Sequence, residues 1–283
     1  MKKITLLIIV VVVFTFNFPQ AAYAVAPTDY VSCFDLNETS STRVDANTTN
    51  SNDLTDVNTV LSATGVLSNG ADFEDSSSEY LNITDANQTG LDLTGDRTLA
   101  VWVKPETTPT AGAGMSMFYK WGASQAQYGL IYIDVAGTKK VRFIGYNTCG
   151  GSNLNHDWTT GTLSTSAFTH VALTYTLSNN DAELWINGAS QGVVDAGFTG
   201  GANCTGAFSL SSLGAGIQWY WDGVMDIAEV YNRVLTSTEI GQIYNAGAGV
   251  ACPSASRATV FVPSLPRAVI NSGKTQVGGK IQI

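Results

Sequence analysis

The sequence predicts an all-β fold, an antiparallel β-sandwich with one short helix near its C-terminal end. Three observations carry that expectation. Short runs of Val, Ile, Leu, Tyr, Phe and Trp recur between turns rich in Gly and Asn, the pattern of paired strands. Only 13 % of the 283 residues are charged and 28 are Gly, a composition that suits many tight turns. Helical spacing is concentrated in one place. There Thr236-Ser237-Thr238-Glu239 forms a capping box, Ile240, Ile243 and Tyr244 follow at helical intervals, and Gly247 offers a stop.

The elements follow in chain order. Lys2 and Lys3 precede an uncharged apolar run from Ile4 to Phe18, and Ala22-Tyr23-Ala24 supplies a small-residue cleavage site. This is expected to be a secretory signal peptide spanning 1–24; the run is short for a spanning helix. Tyr30 to Glu38 reads as a first strand, followed by a polar loop with no hydrophobic period. Residues 98–105, TLAVWVKP, form the clearest strand. Leu99, Val101 and Val103 take one face and Ala100 and Trp102 the other, so both faces are expected to be covered; Pro105 ends it. Segments 116–122, 128–135 and 139–147 are strand-like, the last two joined by a turn at Ala136-Gly137-Thr138. Residues 148–162 read as a loop. Phe168–Leu177 and Ala182–Ile186 pair across the Asn179-Asn180-Asp181 turn. Asn187-Gly188 is a hairpin signal leading to a further strand at 191–194. Trp219–Gly223 is an aromatic turn, and Val224–Asn232 is a run of strand formers.

The order of strand, capped helix and return in 219–247 resembles the closing segment of the laminin-G-like, concanavalin A-type jelly-roll domains. Further points of likeness are the Trp-Val-Lys-Pro strand at 102–105, the His-Val-Ala strand at 170–172 and the strand ending in Asn187-Gly188. The resemblance covers roughly 30–250 and implies a jelly-roll domain at 28–252. It also implies an early strand pair ending at Phe73 and spanning Tyr80–Ile83, and core positions for Trp102, Trp185 and Trp221. Residues 253–283 lie beyond it: Pro253, Pro263 and Pro266, then a basic, Gly-punctuated end. They are expected to be a tail, either loose or donating an added strand.

Four cysteines remain, an even number that in an exported chain favours disulfides. Three pairings are open. Cys33–Cys252 and Cys149–Cys204 are preferred: the first ties the two ends of a jelly roll, and the second joins two Gly/Asn-rich loops.

Charge and motifs bound the function. The net charge of −9 becomes −11 once Lys2 and Lys3 are removed, which argues against nucleic acid or anionic lipid as partner. No later stretch is long and apolar enough to insert in a membrane. The alternating carboxylates of sandwich glycosidases are absent as an ExDxxE motif. Asp134, Glu183, Asp226 and Glu229 sit singly on their expected strands. His170 has no matched nucleophile, so it reads as structural. Calcium is the cofactor considered, through Asp222 and Asp226, since hard oxygen ligands suit it. Asp226 shares strand parity with Ala228 and Val230 and is expected to face the interior. The resemblance adds Asp35, Glu38 and Asp72 by position. The competing reading is carboxylates bonded to turn amides. For sugar binding, exposed rings and planar polar groups are needed. Trp158 and Trp219 are the candidates, with His156, Asp157, Asn155 and Gln218 beside them. The expectation is a secreted or cell-surface, non-catalytic binding or adhesion module, recognising carbohydrate through rim loops. The alternative is a structural surface protein, contacting other surface proteins and assembling through its tail; a polysaccharide-cleaving enzyme comes third.

Overall fold

In the computed structural model, residues 25–253 are described, apart from 123–124, 150, 152, 199–200, 202 and 215. The expected signal peptide, and the expected tail beyond Pro253, lie outside the described residues. Two antiparallel sheets face each other. The first contains β1 (Ser32–Phe34), β3 (Leu61–Thr64), β4 (Asn69–Phe73), β6 (Arg97–Pro105), β11 (Thr169–Thr176), β12 (Asp181–Ile186), β13 (Ala189–Asp195) and β15 (Gly223–Tyr231). Its order is β13-β12-β11-β6-β15-β4-β3, with β1 also pairing with β15. The second contains β2 (Thr55–Val57), β5 (Tyr80–Ile83), β7 (Gly114–Gly122), β8 (Gln125–Val135), β9 (Thr138–Tyr146), β10 (Asn153–Thr159) and β14 (Ala207–Leu210). Its order is β10-β9-β8-β7-β14-β5-β2.

Alternation along each strand sorts its side chains. Leu99, Val101 and Val103 of β6 enter the core between the sheets with Val171, Leu173, Leu130, Tyr132, Phe143 and Trp221. Ala100 and Trp102 point the other way. There they are covered by Ile240 and Ile243 of helix α1 (Ser237–Tyr244). The helix begins as its sequence dictates. The Thr236 hydroxyl accepts from the Glu239 N–H, and the Glu239 carboxylate accepts from the Thr236 N–H at 2.8 Å. It ends at Asn245, whose left-handed backbone stops it before Gly247. Cys33–Cys252 and Cys149–Cys204 are both bonded, closing separations of 219 and 55 residues.

Four local expectations are corrected. The first strand is shorter than 30–38, because Leu36 turns into positive φ just after Phe34. The 148–162 stretch contains a real strand, β10, paired to β9 along its length. The turn before β12 is tighter than expected, so Asp181 belongs to that strand and shares its outer face with Glu183. In β15 the register shifts between Asp226 and Glu229 around Ile227, at φ 43°. This bulge removes Asp226 from the face of Ala228 and Val230, which enter the main core. Asp226 is buried all the same, but against the 65–67 turn.

Candidate functional site

One end of the sandwich carries a rim built by two converging segments. Pro105 ends β6, and the chain runs through Thr107, Thr108, Pro109 and Thr110 before entering β7. The second segment is Trp219–Asp222, which enters β15. They are bound backbone to backbone: the Glu106 N–H donates to the Asp222 carbonyl at 2.8 Å, and the Ser116 N–H to the Trp219 carbonyl at 2.8 Å. Gly223 makes the crossing fit, because a Cβ there would stand 2.4 Å from the Lys104 carbonyl oxygen. The threonine loop is tied down as well. Gly112 N–H donates to the Asp134 carbonyl, and Lys139 bridges the Pro109 carbonyl and the Asp134 carboxylate. A rigid scaffold thus presents the loop.

Between the segments lies a cavity of about 330 Å³, lined by Asp75, Thr107, Thr108, Thr110, Tyr220 and Asp222 among others. Thr107, Thr110 and Asp75 are exposed, and Tyr220 is half-buried. The Tyr220 hydroxyl donates to the Gly216 carbonyl at 2.8 Å, and its ring lies 6.2 Å from that of Tyr80. Trp219 is half-buried and sits at φ 60°. A bulky residue rarely adopts that backbone, and such strain collects at sites of recognition. Its ring closes over Gly114, where a Cβ would come within 3.0 Å of it. It also packs on an apolar patch of the second sheet's outer face, made by Tyr119, Ile131, Ile133 and Ile144 and joined by Trp121 and Tyr146. The rim therefore leads onto an outer face that carries further partly exposed rings.

The rim is acidic. Burial raises the carboxyl pKa values of Asp72, Glu74 and Asp75, and repulsion from Asp222 adds to each. Burial lifts Glu79 to about 6. Such a surface disfavours anionic ligands.

The expected site residues are distributed unevenly around this geometry. Trp219 and Asp222 are at the rim. Trp158 is not an exposed loop ring: β10 turns it inward, it is 5 % exposed, and its indole N–H donates to the Gly192 carbonyl at 3.0 Å. His156 shares that inward parity and bonds the Ala196 carbonyl at 2.7 Å. Asp157 points outward, held by Arg142 at 2.6 and 2.9 Å, and this pairing lowers its pKa. Asp157 opens a cross-strand row with Arg142, Ile131 and Ser116 that ends beside Trp219, three strand spacings or about 14 Å away. Gln218 and Asn155 are exposed.

The carboxylates considered for calcium fall in two places: Asp35 lies near enough to Glu38 and Asp226 for their charges to repel, and Asp72 lies near Asp222. Asp226 accepts from the N–H groups of Val66, Leu67 and Ile227, Asp35 from that of Cys252, and Glu38 from that of Val44. Asp72 and Asp222 belong to the rim. Among the described residues no three His, Cys, Asp or Glu side chains are grouped to hold a metal ion. Asp226, Asp35 and Glu38 thus take up backbone amides, while Asp72 Oδ1 and Glu38 Oε2 are buried without a hydrogen-bond partner. Tyr220 was expected only as part of the aromatic turn, and the residues of the Thr107–Thr110 loop were not expected at a site. Their signal was a hydroxyl-rich stretch directly after a strand-ending proline.

The family described as the concanavalin A-like lectin/glucanases superfamily, of laminin G type, matches residues 75–241. The chain belongs to this family. No curated protein matches it in sequence. Among solved structures it is similar to domain 4 of AbnA, a GH43 extracellular arabinanase from Geobacillus stearothermophilus, solved with arabinotriose. The two share 18 % identity at a TM-score of 0.54, over 78 % of this chain and 98 % of that one. It is similar to the binding domain of Paraclostridial Mosquitocidal Protein 1, at 14 % identity and TM-score 0.59, over 77 % and 52 % of the two chains. It also resembles the binding domain of botulinum neurotoxin DC, solved with SialylT, at 10 % identity and TM-score 0.55, over 77 % and 51 %. The chain thus spans about half the length of the two toxin domains. At these identities the likeness is one of fold.

Proposed function

We propose that this protein is a non-catalytic carbohydrate-binding module that works outside the cell and takes a neutral saccharide at the rim cavity. The observation that carries the reading is Tyr220 lining a cavity ringed by threonine hydroxyls and carboxylates, with the Trp219 ring beside it over Gly114. Aromatic faces pack against the apolar faces of sugar rings, while Thr107, Thr110, Asp75 and Asp222 offer hydrogen bonds to hydroxyls. Two disulfides fit an oxidising compartment, and no helix among the described residues is long and apolar enough to cross a membrane. The similar arabinanase and toxin domains, solved with arabinotriose and with SialylT, lend the sugar reading support.

A glycan array probed with the full chain tests it. Binding to at least one neutral saccharide is expected, weakened roughly tenfold or more in Tyr220→Ala, a loss of about 1.4 kcal/mol or greater. Asp222→Asn should shift selectivity among saccharides without lowering the melting temperature. An array on which nothing binds, or binding indifferent to Tyr220→Ala, would refute the reading.

A further inference from the structure

A second cavity, of about 390 Å³, opens on the outer face of the first sheet, away from the rim. Alternation places Thr174 and Thr176 of β11 there, and Asp181, Glu183 and Trp185 of β12. Val234, Leu235 and Ser237 at the start of helix α1 form one wall. Trp185 is 8 % exposed and forms part of the floor; its indole N–H donates to the Thr174 hydroxyl at 3.4 Å. Opposite Glu183, Val193 of the edge strand is 55 % exposed. The pairing of β12 with β13 shifts register between Glu183 and Trp185, a bulge of the kind that re-aims side chains near sites.

The polar groups are held in place. Asn179 donates to the Asp181 carboxylate at 2.6 Å, and the Ser190 hydroxyl donates to Glu183. Among the described residues no Lys or Arg lines the cavity. Arg233, next along the chain, is engaged by Asp29 and Glu239. Leu235 and Trp185 pack in the cluster under helix α1, while Val193 is exposed and Val234 half-buried at the cavity. An apolar floor, fixed carboxylate acceptors and hydroxyls, with no cation, together suit a neutral polyol and reject an anion.

We infer that this cavity is a second saccharide site, built on the Trp185 floor with Asp181 and Glu183 receiving sugar hydroxyls. It stands independently of the rim site and opens on the other sheet. With both sites filled, the molecule joins two glycan segments, or grips one chain twice, and gains avidity without new contacts.

The test uses the full chain labelled with ¹⁵N. Its six tryptophans give separable indole signals, and Trp185→Phe assigns the relevant one. The probes are arabinotriose and neutral xylo-, gluco-, galacto- and manno-oligosaccharides. With at least one of them the Trp185 indole signal should move saturably. The shift should persist in Tyr220→Ala and be lost, or weakened tenfold or more, in Thr176→Arg, which fills the cavity from an already half-exposed position. An unchanged melting temperature in Thr176→Arg confirms that the loss is local. If that variant melts early, Asn179→Ala, from an exposed turn, serves with the same expectation. A Trp185 signal that no probe moves would overturn the inference. So would a shift abolished by Tyr220→Ala but not by filling the cavity, because it would then originate at the rim.

Discussion

Glu229 shows how burial sets the pH response of this protein. Its side chain is 2 % exposed, accepts from the Tyr231 hydroxyl at 3.0 Å, and lies beside the Cys33–Cys252 bridge. Burial pushes its pKa up to about 8. Burial also lifts Asp226 and Glu79 to about 6 each. A carboxyl whose folded pKa exceeds its unfolded value binds more protons folded than unfolded. Its stabilising contribution is therefore complete below about pH 4 and is lost as pH rises through the folded pKa. At the acid end, Arg233 holds Glu239 down to about 2, so that contribution disappears as pH falls from about 4.5 toward 2. Thermal melting should be most favourable between about pH 4 and 4.5 and decline through pH 8. Glu229→Gln keeps an acceptor for Tyr231 without a charge. It should match the natural protein at pH 5 and exceed it at pH 8 by roughly 1–3 kcal/mol, read from denaturant titrations at the two pH values. Equal stability at pH 8 would place an uncharged or otherwise compensated group at that position.

Elements differ in how plainly they were written in the chain. Strand β6 was legible because Leu99, Val101 and Val103 alternate with Ala100 and Trp102, and both sets are buried. Helix α1 was legible through its cap, which is local chemistry. Thr236→Ala should cost about 1 kcal/mol, since it removes the acceptor for the Glu239 N–H and loosens the cover over Trp102. A denaturation midpoint unmoved by that change would mean the helix is held by packing alone. Strand β10 was not legible: Asn153, Asn155 and Asp157 give it a loop's composition, and only its pairing with β9 makes it a strand. That pairing decided Trp158. A tryptophan among polar neighbours carries the same local signal as Trp219, yet β10 turns one inward while the strained turn presents the other at the rim. The bulge at Ile227 was equally hidden, because an isoleucine at positive φ is imposed by the surrounding sheet rather than by preference.

At the scale of the whole molecule, two facing sheets bury the alternating apolar residues and leave loops exposed at their ends. The longer disulfide fixes the start of the sandwich to its close, a constraint worth about 5 kcal/mol on the chain-entropy model. This architecture was readable from period, turns and cysteine positions, and membership of the concanavalin A-like family agrees with it. The candidate sites were readable only in part, because a cavity is made by segments far apart in sequence. Thr107–Thr110 meets Tyr220 across more than a hundred residues, and Asp181 meets Ser237 across more than fifty. A crystal of the full chain soaked with the strongest saccharide from the array measures the central claim most directly. The account predicts a sugar ring against Tyr220, with hydroxyls in hydrogen-bond reach of Thr107, Thr110 or Asp222. Density for the saccharide only at places remote from both cavities, with the rim holding water alone, would contradict it.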